Sequence, residues 1–178
     1  AGTLYLIPVP LGPADPAACL PPDTLAVARR LDCFVVERAK TARTHLKAMN
    51  HPLPMQQIEL RELNEHTPAA DIGALLAPLR AGRDLGLLSE AGCPAVADPG
   101  ALLVRAAHRE NLAVAPLVGP SSILLALMAS GLGGQRFAFH GYLPAKEPER
   151  AQAIRELEQA ARRDRATQLF IETPYRGG

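Results

Sequence analysis

Short apolar runs alternate along the chain with longer amphipathic segments, in the pattern that buried strands and helices produce. The run Leu85 to Leu88 contains only Leu and Gly, as expected of a parallel strand that is buried on both faces. Similar runs predict further strands over 4–9, 33–37, 55–60, 112–118, 136–142 and 167–173. Because strands and helices alternate, we predict an α/β fold with a mostly parallel sheet and helices on both of its faces.

Capping residues and glycines mark the ends of the predicted helices. Thr67-Pro68 and Asp98-Pro99 each place an N-cap residue before a proline at the first helical position, where the missing N–H has no cost. These signals predict one helix from Thr67 to near Gly82 and another over 101–111. Further helices are predicted over 23–30, 41–49, 121–131 and 147–163.

The glycine-rich stretch Gly131 to Gly134 is the best candidate for a linker between domains. We predict an N-terminal α/β domain over residues 1–131 and the start of a C-terminal α/β domain over 132–178. Only two predicted strands and one predicted helix follow the linker, which is too little for an independent domain. We therefore expect the second domain to be incomplete in this chain.

Composition narrows the class of protein. The chain has 178 residues, of which 48% are hydrophobic, so a sizeable core is possible. No window approaches the roughly 18 consecutive apolar residues of a membrane span, and the N-terminus lacks a signal-peptide pattern. The three cysteines and the five histidines show no metal-ligand spacing, so we expect no metal site. Sparse cysteines in an odd number are typical of reduced thiols, which favours a cytoplasmic protein.

The net charge of +1 means that a nucleic-acid partner would need a local basic patch. Arg38, Lys40 and Arg43 form one basic cluster near the end of a predicted strand, and a second cluster lies over 162–165. Solvated surface charge is the simpler interpretation of both clusters.

Two predicted strands, over 85–88 and 112–118, end in Gly- and Pro-rich turns that lead into helices. Ligands bind at such turns in open α/β sheets. Ser121 and Ser122 open a helix whose free N–H groups suit a carboxylate, although capping alone explains one of these serines equally well. The turn over 8–12 lacks the glycine spacing of a dinucleotide site and has no P-loop lysine, which disfavours NAD and nucleoside triphosphates.

Five sequence blocks resemble, in their order, those of the tetrapyrrole-methylase superfamily of S-adenosylmethionine (SAM) methyltransferases. The blocks are LYLIPVPLG, SEAGCPAVADPG, VGPSSILLALMASG, FAFHGYLP and QLFIETPYR. They are most similar to the branch that methylates a ribose 2′-hydroxyl of small-subunit ribosomal RNA. The resemblance implies SAM as the cofactor, a cleft between two domains as its site, and a homodimer. It implies ribosomal RNA or a ribosomal subunit as the partner; the alternatives are a tetrapyrrole-like acceptor and a non-catalytic SAM- or nucleotide-binding module.

The resemblance also implies which residues bind SAM. These are Leu11, Gly12, Gly92, Cys93, Pro94, Val96, Ser121, Ser122, Glu172 and Thr173. Cys93 stands where the tetrapyrrole branch has the Asp of a Gly-Asp-Pro loop, so we expect only the main-chain contacts of that loop to be kept. The block that contains Glu172 and Thr173 is expected to lie beside the adenine of SAM.

Methylation of a ribose hydroxyl requires removal of its proton, so a general base is expected. The candidates are Glu37, Glu90, Asp98 and His66, and we predict Glu37 and Glu90 as the catalytic residues. Glu90 is equally suited to hold the ribose diol of SAM, whereas Asp98 is more simply a helix N-cap and His66 a loop residue. The ribosomal-RNA branch has an acidic pair where this chain has Glu37-Arg38, so Arg38 makes the local surface more basic.

Overall fold

The structure is a computed structural model that describes residues 1–172. The chain divides into two compact units, Ala1–Ser121 and Ser122–Gly178. The helices and strands of the described residues, in chain order, are β1 (Thr3–Ile7), α1 (Pro16–Cys19), α2 (Pro22–Arg30), β2 (Cys33–Val36), α3 (Ala39–Ala48), β3 (Glu59–Glu62), α4 (Ala69–Ile72), α5 (Ala77–Arg80), β4 (Leu85–Leu88), α6 (Gly100–Arg109), β5 (Ala113–Pro116), α7 (Ser122–Ser130), β6 (Phe137–Tyr142), α8 (Glu149–Asp164) and β7 (Thr167–Ile171). The division between the units precedes α7, whereas the predicted domain boundary follows it; that boundary stays a prediction.

The first unit is built on a five-stranded parallel sheet in the order β3-β2-β4-β1-β5, which confirms the predicted mostly parallel sheet. β1 and β4 are neighbours, with Leu4 opposite Leu85 and Ile7 opposite Leu88. In this order, the chain passes from β1 to β2 in one direction across the sheet. It passes from β4 to β5 in the opposite direction. The carboxyl ends of β1 and β4 are therefore a topological switch point, the usual ligand-binding position in open α/β sheets.

Helices cover both faces of this sheet, as predicted. On one face, Leu25 of α2 and Leu46 of α3 pack in one buried cluster with Phe34. On the other face, Leu103 of α6 packs in a second buried cluster with Leu85. Burying an aliphatic side chain of this size contributes roughly 1.5–3 kcal/mol, so the two layers hold the strand ends in fixed positions.

Two predicted elements of the first unit are wrong. The run over 55–60 begins with a 3-10 turn at Met55–Gln57, and the strand is Glu59–Glu62. This strand pairs with β2 alone, and its polar composition is that of an edge strand rather than a buried one. The predicted helix from Thr67 to Gly82 is divided into α4, a 3-10 turn and α5, because Pro78 has no N–H to bond the preceding turn.

The second unit contains β6 and β7, which pair in parallel, together with α7 and α8. Leu127 and Leu143 are its buried hydrophobic residues among those described, while Leu132 and Phe170 are exposed. A two-stranded sheet with two helices buries too little apolar surface here for a full core. That the second domain is incomplete in this chain stays a prediction. None of the helices in residues 1–172 is long and apolar enough to cross a membrane.

Candidate functional site

Three loops meet at the carboxyl edge of the first unit's sheet, and hydrogen bonds tie them together. Val9, after β1, exchanges two main-chain hydrogen bonds of 3.1 Å with Gly92, after β4. Burial raises the pKa of the Cys93 thiol, so it stays protonated and faces the carbonyl oxygens of Gly119 and Pro120 at 3.6 and 3.3 Å. The loop after β4 is thus joined to the loops after β1 and β5.

Glycine is required at two of these junctions because the chains approach closely. Gly92 has a φ of +67°, and a Cβ on it would lie 2.9 Å from Leu11 Cδ2. A Cβ on Gly119 would lie 2.1 Å from Cγ of Pro8. By contrast, a Cβ on Gly12 would meet nothing within 4 Å. The loops therefore pack against one another at Gly92 and Gly119 and leave open space at Gly12.

Asp98 organises the second half of the loop after β4. One of its carboxylate oxygens accepts hydrogen bonds from the N–H groups of Ala95 and Gly100, both at 2.9 Å. Ala95 has a φ of +66°, a conformation that costs a non-glycine residue roughly 1–2 kcal/mol. Burial raises the pKa of Asp98, although the two N–H donors act in the opposite direction. The N-cap position of α6 is Pro99 rather than the predicted Asp98, which instead joins Ala95 to the start of the helix.

Glu37, which follows β2, forms an acidic cluster with Glu90 and Asp98 at the same edge. Glu37 and Asp98 line one small cavity of about 10 Å³. Burial raises the pKa of Glu37, and the charges of Glu90 and Asp98 raise it further, whereas Arg38 acts against them. Within residues 1–172, none of the three carboxylates forms an ion pair. The edge therefore carries negative charge that can attract a cation or accept a proton.

His45 is a residue of this edge that the sequence did not indicate. Its Nε2 lies 3.0 Å from the carbonyl oxygen of Glu90, to which the ring donates an N–H. Thr24 acts similarly on the loop after β5, since its hydroxyl donates to the carbonyl of Val118 at 2.9 Å. Both contacts join a helix to a loop that is distant in sequence, and no local motif signals them.

The structure brings the predicted site residues of the first unit to this edge. Leu11, Gly12, Glu37, Glu90, Gly92, Cys93, Pro94 and Val96 all lie in the loops that follow β1, β2 and β4. Leu11 and Val96 are 37% and 56% exposed, so both offer apolar surface to a ligand, whereas Pro94 is buried. The functional roles of these residues stay predictions.

Four predicted residues lie later in the chain, and of these Ser121 is in the loop after β5 at this same edge. Ser121 is the last residue of the first unit, and Ser122 begins α7 in the second. Glu172 is half-buried just after β7, and Thr173 lies outside the described residues. Their predicted contacts with SAM are untested. In the described part of the chain, no group of three or more His, Cys, Asp or Glu side chains has an arrangement that could hold a metal ion.

Comparison with curated proteins shows similarity to ribosomal RNA methyltransferases from several bacteria. The family described as "Tetrapyrrole (Corrin/Porphyrin) Methylases" matches residues 3–176. "Ribosomal RNA small subunit methyltransferase I" of Halalkalibacterium halodurans is 34% identical over 176 residues, which are 98% of this chain and 56% of that protein. The protein of the same name from Escherichia coli O157:H7 is 34% identical over 175 residues, 98% of this chain and 57% of that protein. The chain thus spans little more than half the length of these relatives.

Solved structures show the same fold at lower identity. The methyltransferase CobJ has a TM-score of 0.62 at 18% identity, covering 99% of this chain and 71% of that one. Diphthine synthase has a TM-score of 0.61 at 14% identity, covering 98% of this chain and 66% of that one. These likenesses concern the fold alone. The match over residues 3–176 confirms the predicted family: the chain belongs to the tetrapyrrole (corrin/porphyrin) methylases.

Proposed function

We propose that the protein is a SAM-dependent methyltransferase that methylates RNA, on a ribose hydroxyl of ribosomal RNA. Family membership supports the reaction class, and the similarity to ribosomal RNA methyltransferases at 34% identity supports the acceptor. The structural observation that carries the proposal is the acidic cluster of Glu37, Glu90 and Asp98 at the switch point of the sheet. Such a cluster suits both a cationic cofactor and the removal of a hydroxyl proton.

The residues of the carboxyl edge fit SAM in their chemistry. When bound, SAM supplies a methyl group on a sulfonium cation, which becomes a neutral thioether once the methyl group has passed to the acceptor oxygen. The carboxylates complement that cation, and Leu11 and Val96 offer exposed apolar surface. The open space beside Gly12 leaves the main chain accessible. As the family resemblance implies, Ser121, at the end of the loop after β5, is proposed to bind the carboxylate of SAM.

Glu37 is the proposed general base, and Glu90 beside it is the proposed second catalytic residue. Because the pKa of Glu37 is raised, its carboxylate is a stronger base than an ordinary glutamate. It accepts the proton of the ribose hydroxyl as the new bond to oxygen forms. Glu90 increases that basicity through its charge, and it is placed by the hydrogen bond from His45 to its carbonyl.

We also propose that the protein is a homodimer, as the family resemblance implies, and that it is cytoplasmic, as its three cysteines favour. Val118 and Met128 are 72% and 76% exposed, and apolar side chains this exposed support a contact with another surface. Light scattering of the full-length protein tests the assembly, and a monomer mass at micromolar concentration would count against it.

The proposed function is tested with SAM that carries a labelled methyl group. The full-length protein is incubated with small ribosomal subunits from a strain that lacks it, and the RNA is digested to nucleosides for mass spectrometry. The expected result is one labelled 2′-O-methyl nucleoside. Label on a tetrapyrrole in place of RNA, or SAM binding without transfer to either acceptor, would contradict the proposal.

A further inference from the structure

The outer face of α3 is a basic stripe. Lys40, Arg43 and Lys47 are exposed and occur at i, i+3 and i+7, so they share one side of the helix. Ala42 and Leu46 lie on a different side of the helix and are buried in the core. At about 1.5 Å of rise per residue, the stripe from Lys40 to Lys47 is about 10 Å long.

The charges of this stripe are not neutralised within the described residues. Other arginines of the first unit are held in ion pairs: Arg30 with Asp84, Arg61 with Glu59, Arg80 with Glu110 and Arg83 with Asp32. Arg38, Lys40, Arg43 and Lys47 have no such partner in residues 1–172, and α3 itself contains no Asp or Glu. A face of this kind stays available to an external anion.

The stripe begins beside the candidate site. Arg38 directly follows Glu37, and α3 starts at the next residue. The hydrogen bond from His45 to the carbonyl of Glu90 fixes α3 relative to the loop after β4. The basic face and the acidic cluster are therefore parts of one rigid edge.

We propose that this stripe, together with the adjacent Arg38, binds backbone phosphates of the RNA substrate. The inference rests on the proposed function, since it assumes an RNA acceptor. The acidic cluster repels phosphates, so an RNA that presents a ribose hydroxyl there needs compensating cations close by. Contacts between cations and phosphates orient a nucleic acid and supply affinity that is independent of sequence and sensitive to salt.

The test uses the double variant Arg43→Gln/Lys47→Gln of the full-length protein. Arg105→Gln/Arg109→Gln is the matched control, because these arginines are exposed, also four residues apart, and lie on α6 at the other face of the sheet. Binding of in vitro transcribed small-subunit ribosomal RNA is measured against salt concentration. Each lost phosphate contact reduces the slope of log K against log [salt] by about 1, so the α3 variant should lose about 2 and the control nothing.

Methyl transfer and SAM calorimetry separate this inference from the proposed function. The α3 variant should raise the KM for RNA and leave SAM affinity and kcat unchanged. One outcome is that RNA binding depends on α3, with the salt slope reduced in the α3 variant, while the wild-type protein transfers no methyl group. The proposed function would then be wrong, and the proposal that α3 binds RNA phosphates would be supported. If wild-type protein methylates RNA and the α3 variant equals the control, the surface proposal is overturned.

One further outcome would overturn the proposal, and a second variant covers the case in which the double variant is less stable. Loss of binding to intact subunits with unchanged binding to free RNA would indicate an acidic protein partner and overturn the proposal. If the double variant melts at a lower temperature than the control, the single variant Lys40→Gln repeats the test with an expected slope change of about 1.

Discussion

Carboxyl groups at the two edges of the first unit's sheet have pKa values that are shifted in opposite directions. At the amino edge, Asp84 accepts a hydrogen bond from the N–H of Thr3 at 2.8 Å and pairs with Arg30 at 2.9 Å, which lowers its pKa. At the carboxyl edge, burial raises the pKa of Glu37 and of Asp98. The surroundings therefore stabilise the ionised form of Asp84 at the amino edge. At the carboxyl edge, ionisation of Glu37 and Asp98 costs free energy. Such a cost is typical of a site that has a function other than stability.

The largest expected difference between the edges concerns catalysis. Replacing Glu37 by Gln removes the proposed base with little change in shape, so methyl transfer should slow by about 10²–10⁴-fold. Asp84→Asn, at the amino edge, is the control and should leave the rate unchanged. Single-turnover kinetics with saturating SAM and RNA measures both variants. Equal rates for wild type and Glu37→Gln would remove Glu37 from the chemistry.

The second prediction concerns the loop that Asp98 organises. Asp98→Ala leaves the N–H groups of Ala95 and Gly100 without their acceptor, which should lower the free energy of unfolding by roughly 1–3 kcal/mol. Asp98→Asn keeps an acceptor oxygen and should cost less. Urea denaturation gives both values. A smaller loss for Ala than for Asn would show that the two hydrogen bonds contribute nothing.

The third prediction compares two glycines of the carboxyl edge. Gly92→Ala should destabilise the fold by roughly 1–2 kcal/mol, because φ is +67° and the new Cβ would lie 2.9 Å from Leu11 Cδ2. Gly12→Ala introduces a Cβ into open space and should have little effect on stability. Thermal unfolding followed by circular dichroism compares them. Equal melting temperatures would show that the loop after β4 adjusts freely.

The smallest expected effect is on the pH dependence of stability, and its sign differs between the edges. The pKa of Asp84 is lowered, so its stabilisation is present above the unfolded value of roughly 3.9 and is lost as the pH falls through the folded value. Asp84→Asn should therefore cost less than about 1 kcal/mol at neutral pH, since the ion pair is partly exposed, and nothing in acid.

Glu37→Gln should act in the opposite direction. The pKa of Glu37 is raised, so its ionisation destabilises the fold above the raised value. The variant should be more stable than wild type at neutral pH, and the gain should vanish as the pH falls below the unfolded value of roughly 4.3. Unfolding free energies measured between acid and neutral pH decide both cases, and a loss of stability in Glu37→Gln at neutral pH would reverse the assignment.

Local pattern predicts the buried strands and not the contacts between loops. β4 spans the predicted Leu85–Leu88, because a strand covered on both faces must be apolar throughout. The strand predicted over 55–60 is misplaced, because the edge strand Glu59–Glu62 is mostly polar and the apolar pattern does not mark its bounds. The two Gly- and Pro-rich turns and Glu90 were identified from residue type and position. The bridge between Val9 and Gly92 follows from β1 and β4 being neighbours, and no local motif indicates which strands are neighbours.

The central claim is that the carboxyl edge, and not the amino edge, binds the cofactor. Amide hydrogen exchange of the full-length protein, with and without S-adenosylhomocysteine, tests it directly. We expect slower exchange in the loops over 8–12, 89–98 and 117–122, and unchanged exchange over 30–33 and 83–84 at the amino edge. Protection confined to the amino edge, or no protection in the loops at a concentration that saturates binding, would contradict the account.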